Sequence, residues 1–227
     1  AWGFSSHETF TRAFKETYGI TPARYRDSLI ALDHFDKPDL LLNYVMIDEG
    51  VPLISEGLVL EINRKTLESP IGFAGKQGFI PFVPGRMLGE RPGVASAEDI
   101  WGAFRRIRQR LPLVPGGLQI GVCFAGNAPE GYTSYFAGAQ AADTALRSGP
   151  VYDSWLLPAR DYIICGFEAE SFEELAPCAL GKAMKFTRLW LRHHGLIADG
   201  FFPEMYYPGR SGSPYMEIWV PFRKREQ

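Results

Sequence analysis

Only three cysteines occur in the 227 residues: Cys123, Cys165 and Cys178. Their number is odd and their spacing suits no metal. That argues against a disulfide framework and reads as reduced thiols in a cytoplasmic protein. No apolar run reaches about 18 residues and no signal-peptide pattern is present, so no segment is expected to enter or cross a membrane. An excess of one charge is also lacking. The net charge of −2 and the pI of about 6.1 exclude a polybasic nucleic-acid binder as the whole chain. G-x-S-x-G, H-E-x-x-H and a phosphate-binding glycine loop are all missing, which removes the commonest hydrolase and nucleotide signatures. No metal and no cofactor is expected. His193 and His194 stand at a predicted helix end, where a cation suits the dipole. Cys165 lies in an apolar strand and reads as core.

Apolar residues, by contrast, are plentiful. At 46% hydrophobic, the chain can bury a core for one sizeable domain beside a small one. The small unit comes first, in AWGFSSHETFTRAFKETYGITPARYR. Ser5 and Glu8 have the S-x-x-E spacing of a capping box. Phe10, Ala13, Phe14 and Tyr18 then form one apolar stripe. Gly19 suits a helix stop, and Thr21-Pro22 a restart carrying Tyr25 and Leu29. The other face of the first helix presents His7, Glu8, Thr11, Arg12 and Lys15, groups able to meet base edges and phosphates. The bland reading is an amphipathic helix pair with a solvated face. Residues 1–27 hold four cations (Arg12, Lys15, Arg24, Arg26) against three acids (Glu8, Glu16, Asp27), a balance too small for independent DNA binding.

The string G-F-S-S-x-x-x-F-x-R-x-F-K-x-x-x-G-x-T-P-x-x-Y-R resembles the second helix-turn-helix of AraC/XylS-type transcription regulators. The resemblance implies that the first helix is a recognition helix. Contact with DNA would then fall on His7, Glu8, Thr11, Arg12 and Lys15. The family's reader has two such subdomains and the first is not in this sequence, so residues 1–36 read as the remnant of a DNA-binding domain in a fragment of a longer regulator. DHFDKPDLLLNYVMIDEG interrupts the pattern, and the boundary is expected between about residues 36 and 50.

Residues 50–225 show strand, helix, strand, strand, twice. LVLEI alternates within a strand-like or loop-like stretch, 58–82. Ser96 with Asp99 caps a helix striped by Ala97, Ile100, Trp101, Phe104, Ile107 and Leu111, stopped by Pro112 to Gly117. LQIGVCF and YTSYFAGAQA follow as strands around GNAPEG. DYIICGFEAE opens the second round. Ser171 with Glu174 is expected to cap a helix striped by Phe172, Leu175, Ala179, Ala183, Phe186 and Trp190. FFPEMYY and YMEIWVPF close it, joined by PGRSGS. The pattern predicts an α+β fold, a mainly antiparallel sheet with helices on one face.

Alternation assigns Phe202, Glu204 and Tyr206 to one face of FFPEMYY, and Phe201, Met205 and Tyr207 to the other. On YMEIWVPF, Met216, Ile218 and Val220 are wholly apolar and should meet the helices. Tyr215, Glu217 and Trp219 should look away. An assumed pairing register adds Glu204 and Tyr206 to that open face. Carboxylates among rings suit an organic cation. The plain alternative is a solvated Glu217 and a rim Glu204.

The strand FFPEMYY, with P-E-x-Y-Y, and the one with E-I-W-V-P near the C-terminus are similar to those of GyrI-like effector-binding domains, which follow AraC-type or MerR-type readers in bacterial multidrug-response regulators. The resemblance implies a groove for lipophilic, often cationic compounds on the sheet, with Glu204 meeting the cation. Tyr206 and Trp219 are walls by alternation, and Tyr135 and Phe136 are further candidates that cannot be phased. The implied function is a transcription regulator whose partners are DNA, a small lipophilic or cationic effector and RNA polymerase, with no catalytic residue. Two rivals stand beside it. Some GyrI-like proteins resemble hydrolases that use this glutamate with a nearby tyrosine, and a flat face around Glu204 would instead suit a protein-interaction platform.

Overall fold

The computed structural model describes residues 6–18, 21–24, 47–55, 57–81, 96–144, 147–169, 171, 175, 179–208 and 210–224. Ser5, Gly19, Tyr25, Leu29, Phe172, Glu174, Cys178 and residues 36–46 of the expected boundary lie outside the described residues.

Helix α1 spans His7–Tyr18. Ser6 holds its first turn: its Oγ accepts from the Thr9 amide at 3.2 Å, the reach of an N-cap to the third helical residue. The expected cap was Ser5, and the helix begins one residue later than that spacing implied. Phe10 and Phe14 meet at 5.7 Å between ring centroids, as their stripe predicts. The Tyr18 side chain lies outside the described residues. Thr21 Oγ1 accepts from the Arg24 amide at 3.3 Å, and Pro22 to Arg24 are helical, so the chain does restart there.

Ten strands build one sheet: β1 Leu53–Ser55, β2 Leu58–Thr66, β3 Ile71–Pro81, β4 Gln119–Phe124, β5 Tyr132–Gln140, β6 Asp153–Leu157, β7 Asp161–Glu168, β8 Leu196–Ala198, β9 Phe201–Tyr206 and β10 Tyr215–Lys224. Helix α2, Ala97–Ile107, lies between β3 and β4, and α3, Leu180–His193, between β7 and β8. The order across the sheet is β1-β2-β7-β10-β9-β4-β5-β3-β6, with β8 on β10. Every described pairing is antiparallel. The protein is therefore α+β. Its two rounds are β3-α2-β4-β5 and β7-α3-β9-β10. They lie as mirror-ordered triplets, β3-β5-β4 and β9-β10-β7, which meet where β4 pairs β9.

The flanking strands interlock the rounds. β2 precedes β3 but pairs β7, and β6 precedes β7 but pairs β3. Thr66 stands opposite Asp161, and Ile71 opposite Leu157, so the first chain uses one more residue than the second to pass this corner. That is the arithmetic of a bulge, and Pro70 and Pro158 fall in it, where a ladder amide is not needed. The corner also forces the sheet to curl. From β6 to β7 through the sheet would be about 29 Å if it were flat, at about 4.8 Å per strand. The three linking residues, 158–160, can bridge about 14 Å at most. Trp155 on β6 accordingly reaches Phe201 on β9, with ring centroids 5.5 Å apart.

The ladder fixes both faces. Ile62, Cys165, Ile218, Glu204, Gly121, Ala137 and Lys76 are neighbours across seven strands and share one face. Both helices cover this face. α3 buries Ala183, Met184, Phe186 and Trp190 against Leu60, Ile62, Cys165, Met216 and Ile218. α2 sets Ile100 and Phe104 over Ala74, Ile80, Ala137 and Ala139. The capping box of Ser96 with Asp99 is present as expected. At α3, Ala179 already has helical backbone angles and no side-chain cap. The opposite, concave face is filled by Phe73, Ile120, Val122, Phe136, Met205 and Trp219. No described helix is long and apolar enough to cross a membrane.

Of the aromatic residues expected in the helix cores, Phe104, Phe186 and Trp190 are buried. Trp101 is only half-buried. It stands at the margin of α2 that overlooks β9, where its ring has other work.

Candidate functional site

The strand pairing separates the residues that the sequence grouped. Tyr206 lies opposite Met216 and Glu204 opposite Ile218. Glu204, Tyr206 and Phe202 therefore share the helix-covered face, and Tyr215, Glu217 and Trp219 look into the concave one. The expected common open face is corrected to two clusters, back to back. The error is one of parity. A two-residue turn would fix register through its own geometry, but β9 and β10 are joined by a long loop containing Pro208, Pro214 and Gly212 at φ +109°, whose length is not tied to a register by any local rule.

Glu204 is the sole charged residue among the fully buried side chains described, at 5% exposure. It sits at mid-sheet beside the β4–β9 seam, between the two helices. Its Oε2 accepts from Tyr135 Oη at 3.2 Å and from Tyr206 Oη at 3.0 Å. Trp101 Nε1 donates to Tyr135 Oη at 3.0 Å, and the Trp101 ring meets the Tyr206 ring edge-on at 5.4 Å. Among the described residues, no donor reaches Oε1 and no cation pairs with the carboxylate. Gly121, directly across on β4, makes the room. A Cβ there would lie 2.2 Å from Tyr135 Oη and 2.9 Å from Glu204 Oε2. Burial raises the Glu204 pKa to about 7, against the pull of the two phenolic hydrogen bonds, which favour the carboxylate. Burial and the neighbouring Glu204 push the Cys123 thiol up, so it is no nucleophile at neutral pH. Tyr135 and Tyr206 are likewise held protonated, first by burial and then by Glu204.

Of the expected ligand-binding set, the structure brings together Glu204, Tyr206 and Tyr135, with Phe202 on the same face. Phe136 falls on the concave face, packed near Trp155 at 6.4 Å. Glu217 and Trp219 form the second cluster. Glu217 Oε1 accepts from Tyr215 Oη at 2.7 Å, and Oε2 accepts from Trp219 Nε1 at 2.7 Å and from Tyr207. Burial, then Glu217, push the Tyr207 and Tyr215 hydroxyls up. The rings here already carry cations: Arg210 lies 3.6 Å from the Tyr215 centroid and Lys65 4.6 Å from that of Trp219. Trp101 and Gly121 were missed as site residues. The one signal in the sequence was a tryptophan in a helix stripe, since an indole N–H needs a partner when buried.

In α1, His7, Glu8, Arg12 and Lys15 are exposed. Thr11 is half-buried, and its Oγ1 has no partner among the described residues.

No protein-family model matches the chain, and no curated protein matches it. Matches among solved structures are distant. SAV2435 bound to tetraphenylphosphonium is 18% identical at a TM-score of 0.48, over 72% of this chain and 94% of that one. The EcmrR C-terminal domain is 11% identical at 0.47, over 73% of this chain and 97% of its own. A hydrolase from Listeria innocua is 8% identical at 0.44, over 71% and 91% respectively. At these values function has to be read from the residues.

Proposed function

We infer that residues 50–225 are a sensor for small lipophilic cations, and that residues 1–36 belong to the DNA-reading part of the same cytoplasmic transcription regulator. One observation carries the sensing role. Glu204 is a desolvated carboxylate ringed by Tyr135, Tyr206 and Trp101, and no cation among the described residues pairs with it. A buried charge is normally paired, and leaving one unpaired costs several kcal/mol on the order of that for any isolated buried ion. A ligand that brings positive charge removes that cost and gains about 0.5–2 kcal/mol from each ring it faces.

Fluorescence titration of matched cationic and neutral aromatic ligands against the wild type and Glu204→Gln tests this. The cationic ligand should lose at least about tenfold in affinity in the variant, and the neutral one little. Equal losses would remove the charge-pairing role. The hydrolase reading has its own support, since a carboxyl with a pKa of about 7 beside two phenols suits general acid–base work. It requires that Glu204→Gln abolish turnover and spare binding.

For the reader, the exposure of Arg12 on α1 supports assigning it a DNA contact. In a gel shift with the full regulator, Arg12→Ala should weaken discrimination between operator and random DNA by about 1–3 kcal/mol. Unchanged discrimination would move the reading role to another helix.

A further inference from the structure

We propose that the Glu204 site selects protonated amines carrying at least one N–H over quaternary or phosphonium cations of the same shape. This inference rests on the sensing reading above and concerns which cations are sensed.

The two oxygens of the carboxylate are not equivalent. Oε2 is occupied by the hydroxyls of Tyr135 and Tyr206, at 3.2 and 3.0 Å. Tyr135 is itself held from behind by Trp101 Nε1 at 3.0 Å, so its proton is directed at the carboxylate. Oε1 has no donor among the described residues. It belongs to a side chain only 5% exposed, and it is not among the fully buried atoms, so the small opening that remains leaves it within reach of a ligand. An ionised carboxylate offers about four acceptor positions. Here the pair on Oε2 is used and the pair on Oε1 is open.

A quaternary ammonium or a phosphonium neutralises the charge but cannot fill those positions. Its methyl or aryl groups hold the charged atom more than about 4 Å from the oxygen. An ammonium N–H approaches to about 2.8 Å and donates. It fills the open acceptor and shortens the charge separation in a poorly solvated place, where both effects are amplified. The rest of such a ligand would find the Trp101, Tyr206 and Tyr135 rings. Among the described residues no side chain donates to Oε1: Gly121 has no side chain, and the Ile218 side of Glu204 is hydrocarbon.

The test is isothermal titration of the whole chain at pH 8, with 1-naphthylmethyl-dimethylamine and its N-methyl quaternary salt as probes. They differ by one methyl in place of one proton. The tertiary ammonium should bind about tenfold more tightly or better, the range of a hydrogen bond to a charged group. In Glu204→Gln the gap should shrink to about twofold or less. Equal affinity for the two probes, or tighter binding of the quaternary salt, overturns the selectivity while leaving the sensor reading standing. A gap of undiminished size in Glu204→Gln also overturns it, because selectivity then arises elsewhere. Failure of both probes to bind the wild type overturns the sensor reading itself.

Discussion

Glu204 and Glu217 have nearly the same company and opposite prospects. Each accepts from two tyrosines, and each cluster includes an indole N–H: Tyr135, Tyr206 and Trp101 around Glu204, and Tyr207, Tyr215 and Trp219 around Glu217. They lie on adjacent strands and face opposite sides of the sheet. At Glu217 both oxygens are satisfied, and Lys65 and Arg210 rest on the rings nearby. At Glu204 one oxygen bears both hydrogen bonds, and among the described residues no cation pairs with it. Composition does not separate a binding site from a structural knot. Saturation does. The complete cluster has a donor on each carboxylate oxygen, whereas the incomplete one has an oxygen with no donor among the described residues and a charge left over for something else.

The comparison can be broken by neutralising each acid in turn, where the largest effects should appear. The Glu204 pKa is raised from 4.5 to about 7 by burial, and among the described residues no charged side chain influences it. The titratable neighbours, Cys123, Tyr135 and Tyr206, are all pushed up and stay protonated through that range. Between the two values the folded state keeps a proton that the unfolded state has lost. Wild-type stability therefore falls as pH rises from about 4.5 to about 7 and then levels. Glu204→Gln removes this fall. In urea denaturation it should match the wild type near pH 4.5 and exceed it by on the order of 2–3 kcal/mol at pH 8. Glu217→Gln should do the reverse. It leaves donors from Tyr207, Tyr215 and Trp219 short of an acceptor and should cost about 1–3 kcal/mol at pH 8. Two variants that both destabilise at pH 8 would mean that Glu204 is as structural as Glu217.

Much of this was legible beforehand, and its limits were physical. The S-x-x-D cap at Ser96, the apolar stripe through Phe104 and the alternation in β10 are local patterns, and each appears in the structure as read. Tyr135 could be named but not phased, because β5 is apolar on both faces and offers no alternation. The pairing of Glu204 with Ile218 instead of Glu217 depends on the length of an irregular loop, a quantity that no short-range rule converts into register. Nor does β2 say that it will pair β7 and leave β3. That exchange is a choice between distant partners, and only the closed corner at Thr66 and Asp161, bonded at 2.5 Å, makes it visible. Site chemistry therefore depended on the one element of the fold that sequence specifies least.

The smallest effect sharpens the comparison most. Arg210 lies 3.6 Å from the Tyr215 ring centroid and pairs with Glu168 at 3.0 Å, both partners being substantially exposed. Such a pair contributes little, and the ring contact about 0.5–1 kcal/mol. Arg210→Ala should therefore lower stability by less than about 1 kcal/mol. Its consequence for binding follows from the argument about saturation. Removing Arg210 uncovers the Tyr215 ring but leaves both Glu217 oxygens filled, so an added cation would gain one ring face and no open acceptor. In a Glu204→Gln background, Arg210→Ala should leave cationic-ligand affinity within about fivefold of the Glu204→Gln level, since one exposed ring face gives at most about 0.5–1 kcal/mol. A gain of tenfold or more, read by the same fluorescence titration, would show that the protein's own cation had been masking a second site. Saturation of the carboxylate would then not be what distinguishes the two clusters.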